Sequence, residues 1–172
     1  MTIRKRPLVS EYASYYGSYI NRVPEGDICD ILENQLARTL ALMTKAESRL
    51  DHSYAPGKWS VRQLVGHVID TERIFACRAL CFARAERQPL PGFDQDNYVQ
   101  EAGFEGRTLK DLATEFELVR KSNVILFRSL TEEAWERRGV ANNVEFTVRS
   151  IPYIIAGHEL HHVGILKERY LV

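Results

Sequence analysis

Cysteine is scarce in this chain: three in 172 residues, Cys29, Cys77 and Cys81, with no C-x-x-C pair among them. That excludes a disulfide-stapled scaffold and the common cysteine zinc frameworks, and it fits a reducing compartment. An excess of either charge is missing too. Twenty-three basic residues balance 23 acidic ones, whereas a nucleic-acid binder usually carries a basic excess; the run Arg4-Lys5-Arg6 is too short to change this. No apolar run approaches the roughly 18 residues of a membrane span, and the polar, tyrosine-rich N-terminus is unlike a signal peptide. The expectation is a cytoplasmic protein with neither membrane nor nucleic acid as partner. Internal repeats and low-complexity tracts are lacking, and strand signals are confined to a possible hairpin near 139–147.

What remains is helical. A hydrophobic content of 45% with 27% charged residues is ordinary for a globular chain, and the length suits one domain, residues 1–172. Residues 1–26, with Tyr12, Tyr15, Tyr16 and Tyr19, read as an arm whose rings pack on the body or on a second subunit. Apolar residues then recur at three- and four-residue spacing in four stretches. The first runs from Asp27, a candidate N-cap, to Leu50. A loop containing Pro56-Gly57 makes the next helix an antiparallel neighbour. That second helix opens with a capping box at Ser60 to Gln63 and runs to about Arg84, with Leu80 among its apolar positions. Pro89 to Asp94 stops it, and the connection over 88–107, with a turn around 97–102, is long enough for a crossover. The third helix, Leu109 to Leu130, is signalled by Thr108 and Asp111 and carries Ile125 and Leu126 inside. The fourth, capped by Thr147 or Ser150, must accommodate Pro152 in its first turn or bend there. Four such helices make an all-α four-helix bundle.

Three of the five histidines stand within five residues: His158-Glu159-Leu160-His161-His162. Residues four apart share a helix face, so His158 and His162 can aim at one point, and buried imidazoles without partners would be costly. His161 could replace His162 but faces about 100° away from it. A further ligand must come from another segment. His52 lies in a loop by composition, whereas His67 lies on the second helix and is the better candidate. If the second and fourth helices are antiparallel, His67, about 9 Å from the start of one, meets His158 and His162, about 12–18 Å from the end of the other. Three histidines leave coordination positions open, the catalytic pattern, with Zn²⁺ or Ni²⁺ the metals expected. Cys77 and Cys81 lie about 15–21 Å along the axis from His67 and read as buried apolar thiols.

The same five residues spell H-E-x-x-H, which makes Glu159 either a candidate general base or a solvated helix charge. Asp70 is a candidate hydrogen-bond acceptor from a ligand imidazole, or a solvated charge near Arg62 or Arg73. Trp59 and Tyr153 could line a pocket or belong to the core.

Lys58-Trp59-Ser60-Val61-Arg62-Gln63 with His67-Val68-Ile69-Asp70, Pro89-Leu90-Pro91-Gly92-Phe93-Asp94, and Ile154 to His162 resemble the DinB-like superfamily, in particular its YfiT-like metal-dependent branch. The resemblance covers nearly the whole chain. It implies up-down-down-up topology, a divalent metal on His67, His158 and His162, and a homodimer. It also implies chemistry on a small-molecule substrate, thiol-dependent S-transfer with a low-molecular-weight thiol such as bacillithiol or mycothiol; the residues themselves leave metal-dependent hydrolysis, with Glu159 as base, and a non-catalytic, metal-braced bundle as alternatives.

Overall fold

The computed structural model describes residues 5–172; Arg4 and the three residues before it lie outside the described ones. Four long helices carry the structure: α2 (Ile28–Lys45), α3 (Val61–Ala83), α5 (Leu109–Ser129) and α7 (Ser150–Ile165). The short helix α1 (Gly17–Ile20) precedes them, α4 (Gln95–Glu101) and α6 (Glu132–Glu136) lie in the links, and strands β1 (Arg138–Ala141) and β2 (Val144–Thr147) form a hairpin. Its turn residues Asn142 and Asn143 both take positive φ, as a tight two-residue turn between antiparallel strands requires.

The caps of the first three long helices follow the sequence, whereas α7 starts after Arg149, which makes no side-chain cap, and Thr147 Oγ1 accepts only from the Ser150 N–H. Asp27 accepts from the backbone N–H groups of Cys29 and Asp30, Ser60 and Gln63 close a capping box on α3, and Thr108 and Asp111 do so on α5. Pro152 sits in the first turn of α7, where its missing N–H costs nothing, and Ser150 Oγ donates back to the Thr147 carbonyl.

The side-chain pairings fix the topology. Gln35, Thr39 and Arg49 of the first helix and its following turn meet Ala156, Glu159 and Tyr170 in that order, so α2 and α7 run parallel. Arg120 and Arg128 reach back to Leu32 and Asp30, so α5 runs against α2. Gln63 meets Glu105 and Glu72 meets Arg120, so α3 and α5 are parallel. The bundle is therefore up-down-down-up, with α3 antiparallel to α7.

Several local expectations give way. α2 stops at Lys45, because a 3-10 turn over Glu47–Arg49 tightens the chain before Leu50. The resulting 46–60 link is long enough to carry α3 across the bundle: both α2 and α3 pack on α5 and α7, so they face each other diagonally and are not neighbours. Ile125 and Leu80 are exposed, as is Cys77, and Cys81 is only half-buried; these positions fall on outward faces of α5 and α3.

Apolar side chains gather in two clusters. One surrounds Phe75, Phe82, Phe127, Phe146 and Ile151 at the hairpin end; the other surrounds Val61, Leu64, Leu112, Phe116 and Leu166 at the opposite end. Between them lies a buried polar layer of Thr39, Glu72, Arg120, Asn123 and Glu159. The arm packs on the body beside it. Gly157 permits this, since a Cβ there would come within 2.1 Å of the Tyr19 carbonyl oxygen, and the Tyr16 ring lies edge-on to Phe75 at 5.7 Å. Among the described residues no helix is long and apolar enough to cross a membrane.

Candidate metal centre

Antiparallel packing of α3 on α7 brings His67, His158 and His162 together, all three buried. Their Nε2 atoms converge: 3.0 Å from His67 to His158 and 3.1 Å from His162 to His158. A ring nitrogen has either one in-plane N–H or one lone pair, so His158 Nε2 cannot form a proper hydrogen bond to both neighbours. A shared electrophile resolves the conflict. Metal–nitrogen distances of about 2.0–2.1 Å at tetrahedral angles put neighbouring nitrogens about 3.3 Å apart, close to the spacing seen.

Electrostatics point the same way. Burial, with lesser help from neighbouring histidines, lowers the pKa of His67 to about 4 and of His162 to about 3, and holds His158 well below its ordinary value. All three rings therefore keep their lone pairs at neutral pH, the state in which imidazole binds a cation. His162 Nδ1 is buried without a hydrogen-bond partner. A cluster of neutral imidazoles with an orphaned nitrogen stabilises the fold poorly by itself and suits a divalent ion.

Two aromatic rings brace the triad. Trp59 lies 4.6 Å from the His67 ring and stacks at 6.4 Å on His162. Tyr19, from the arm, stands edge-on to His158 and His161, each at 5.5 Å. His161 is half-buried against Tyr19 and is not among the converging donors. His52 is exposed in its loop beside Tyr170. Tyr153 is a core residue under the Arg6 guanidinium, 5.5 Å away.

Glu159 is neither solvated nor free. It is 1% exposed, and helix geometry turns it about 100° from His158, toward α2 and α5. There Oε1 accepts from Thr39 at 2.5 Å and Oε2 from Arg120 at 2.8 Å. Arg120, fully buried, also holds both oxygens of Glu72 at 2.8 and 2.7 Å and donates to the Leu32 carbonyl, tying all four bundle helices together. Burial opposes its charge, but the two carboxylates outweigh this and keep its pKa above the ordinary value. Glu159 stays raised by burial in spite of Arg120. Both its oxygens are engaged, so it is poorly placed to act as a base. Asp70 is half-buried, with its pKa raised by burial and by Glu115 and countered by Arg73 and Arg107. Its charged neighbours lie on the α5 side of α3.

Beside the triad a pocket of about 200 Å³ opens, lined by His67, His158, Thr71, Arg78, Tyr16 and Phe93 among others. Phe93 comes from the Pro89–Asp94 stretch, which pairs with the hairpin through Leu90 and Ala141 and so walls the site. Thr71 and Arg78 continue the His67 face of α3, and Arg120 continues the apolar stripe of α5. Polar residues at core positions were the sequence signal for all three.

The DinB superfamily family model matches residues 31–166. A protein of Oceanobacillus iheyensis, provisionally named a metal-dependent hydrolase, is 29% identical over 138 residues, covering 78% of this chain and 76% of its own. YfiT from Bacillus subtilis, described as a probable metal-dependent hydrolase with an unusual four-helix bundle topology, superposes with a TM-score of 0.70 at 19% identity, covering 96% of this chain and 91% of that one.

Proposed function

The chain belongs to the DinB superfamily, and from that premise we propose that it is a metal-dependent hydrolase of small molecules whose divalent ion, Zn²⁺ or Ni²⁺, is held by His67, His158 and His162. The observation that carries this is the convergence of three buried, neutral imidazoles on donor atoms within 4.8 Å of one another. Three protein ligands leave at least one coordination position for water or substrate, the arrangement of a catalytic and not a structural site. Such an ion supplies Lewis acidity, polarising a substrate oxygen and lowering the pKa of a nucleophile.

The protein's own residues do the rest. Trp59 and Tyr19 fix the imidazole planes and limit water around them. The Thr39–Glu159–Arg120–Glu72 layer sets the rotation of α7, and with it the direction of His158 and His162. The adjoining pocket admits substrate from the hairpin side. Residues 1–172 act as one domain in this scheme, with Tyr16 and Tyr19 of the N-terminal arm (residues 1–26) completing the site, in a cytoplasmic homodimer. The relatives' designations support water as the nucleophile. Thiol-dependent transfer would use the same open position, and no pocket residue is specific for a thiol cosubstrate.

The test is metal content by mass spectrometry on untagged protein, beside a His158→Ala, His162→Ala double variant, followed by ester turnover with and without bacillithiol or mycothiol. One metal per chain, lost in the variant together with thiol-independent turnover, is the expected result. Turnover only with thiol would move the assignment to transfer. A wild type that refuses both Zn²⁺ and Ni²⁺ would overturn it, and light scattering checks the dimer.

A further inference from the structure

His67, Thr71, Phe75 and Arg78 follow one another along α3 at spacings of four, four and three, so they form one stripe on a single face. Three of its members differ in how well they are satisfied. His67 has the triad. Thr71 Oγ1 is buried without a hydrogen-bond partner. Arg78 is only 4% exposed, and among the described residues no carboxylate forms an ion pair with it. Its Nη2 donates to the Pro91 carbonyl at 3.0 Å, and its other polar partner is the neutral Tyr16 hydroxyl.

Burying an unpaired guanidinium is expensive. Arg120, the other deeply buried arginine, has two carboxylates. Arg78 has aromatic rings instead, lying 4.9 Å over Phe75 and 5.9 Å over Phe93, with the Tyr16 hydroxyl close enough for each to shift the other's ionisation. Rings soften the cost of burial but do not neutralise the charge. All of these groups line the pocket that also contains His67 and His158.

We propose that the substrate of this site is a small carboxylate-bearing molecule, whose carboxylate pairs with Arg78 while Thr71 hydrogen-bonds the segment between that anchor and the histidine triad. This rests on the hydrolase assignment above for the reaction, but not for the binding. The geometry sets the anion's place. Arg78 and His67 are eleven residues apart, about 16 Å along the axis, and an arginine side chain on a helix leans toward the N-terminus, which shortens the span between guanidinium and triad. An extended ligand with its reacting bond at one end and its anion at the other fits that span. Charge sets the class. Among the described residues Arg78 is the sole cation in the pocket lining, which matches a monoanionic carboxylate better than a phosphate dianion, and a guanidinium meets a carboxylate with two parallel hydrogen bonds.

The experiment has two readouts. Glutarate is titrated calorimetrically into metal-loaded wild type, Arg78→Gln, Arg78→Lys and Thr71→Val, with thermal melts to show that each variant is folded. In parallel, kcat/KM is compared for mono-4-nitrophenyl glutarate and neutral 4-nitrophenyl butyrate. The expected result is glutarate binding in wild type that weakens at least tenfold in Arg78→Gln and less in Arg78→Lys and Thr71→Val. The preference for the acidic ester should fall by a similar factor, mainly through KM. Glutarate bound equally by wild type and a folded Arg78→Gln would place the anion on the metal and overturn the proposal. So would wild type that binds no glutarate, or binds inorganic phosphate more tightly. If neither ester is cleaved, the hydrolase assignment fails while the calorimetry still decides the Arg78 site; should Arg78→Gln not fold, Arg78→Lys and Thr71→Val carry the comparison.

Discussion

Replacing Arg120 by methionine removes the one cation from the polar layer and leaves Glu72 and Glu159 facing each other in a closed interior. The structure sets the scale. Arg120 makes three hydrogen bonds to carboxylate oxygens, of 2.7 to 2.8 Å, and one to the Leu32 carbonyl at 3.0 Å. Breaking a buried pair by deleting one partner costs about 3–5 kcal/mol, because the remaining charge is stranded. Here two charges are stranded, so the upper end applies. With a urea dependence of about 2 kcal/mol per molar, a loss of about 5 kcal/mol lowers the midpoint by about 2.5 M, a large part of a stability of about 5–15 kcal/mol. The penalty should also depend on pH. Without Arg120 less opposes the burial that raises the Glu159 carboxyl, so the folded variant binds more protons than its unfolded chain, and its stability falls as pH rises through the range in which that carboxyl titrates. The measurement is urea unfolding of metal-free wild type and Arg120→Met at pH 5 and pH 7. The gap should widen toward pH 7, and adding Glu159→Gln should recover part of it. A difference under about 1 kcal/mol, or one independent of pH, would show that the layer does not hold the helices together as argued.

Two further outcomes follow from the site. In the metal-free protein His67 titrates at about 4 when folded and at 6.5 when unfolded, so between those values the unfolded chain binds more protons and stability rises with pH. Acidifying from pH 7 to pH 4 should cost about 3 kcal/mol from His67 alone, and bound metal should oppose the loss in calorimetric melts down to the pH at which it dissociates. Gly157→Ala drives a methyl group into the Tyr19 carbonyl. It should cost about 1–3 kcal/mol by denaturant titration and release the Tyr19 ring from His158, visible as a change in tyrosine fluorescence.

The bundle was legible because periodic apolar positions and caps repeat the same message: Asp27, Ser60 with Gln63, and Thr108 with Asp111 all start helices where they stand in sequence. The triad was legible because a four-residue spacing on one helix needs only one further histidine, and His67 was the one on a helix. Elsewhere the signal depends on facts that a linear pattern does not contain. Whether α2 and α3 are neighbours or diagonal depends on which links cross, so the exposure of Cys77 and Leu80 could not be read from periodicity alone. Glu159 next to His158 looks like part of a zinc motif, yet a rotation of about 100° per residue delivers it to Arg120, 39 positions away in sequence. Arg78 and Thr71 stood on the correct stripe, but their lack of partners shows only when all four helices surround them.

That lack of carboxylates also constrains the proton chemistry. Among the described residues no Asp or Glu lines the pocket beside the triad, and both oxygens of Glu159 are held by Thr39 and Arg120. Tyr16 and Tyr19 are pushed further above their ordinary values by burial, so they remain protonated donors through the physiological range. Arg78 remains a cation even though burial lowers its pKa from the ordinary arginine value. Once the three imidazoles are engaged by a metal, no group of the site is left to titrate near neutrality except the nucleophile itself. The rate profile should then differ from that of a hydrolase with a glutamate base. kcat/KM should rise with pH along one limb governed by a single ionisation and level off, without the descending limb that a second essential group produces. Glu159→Gln should leave the position of that limb in place while lowering stability, since its carboxylate serves the helices and not the proton. A bell-shaped profile, or a limb displaced by Glu159→Gln, would mean that a carboxylate reaches the reacting atoms after all, and that the arrangement of α7 in the working enzyme differs from the one described.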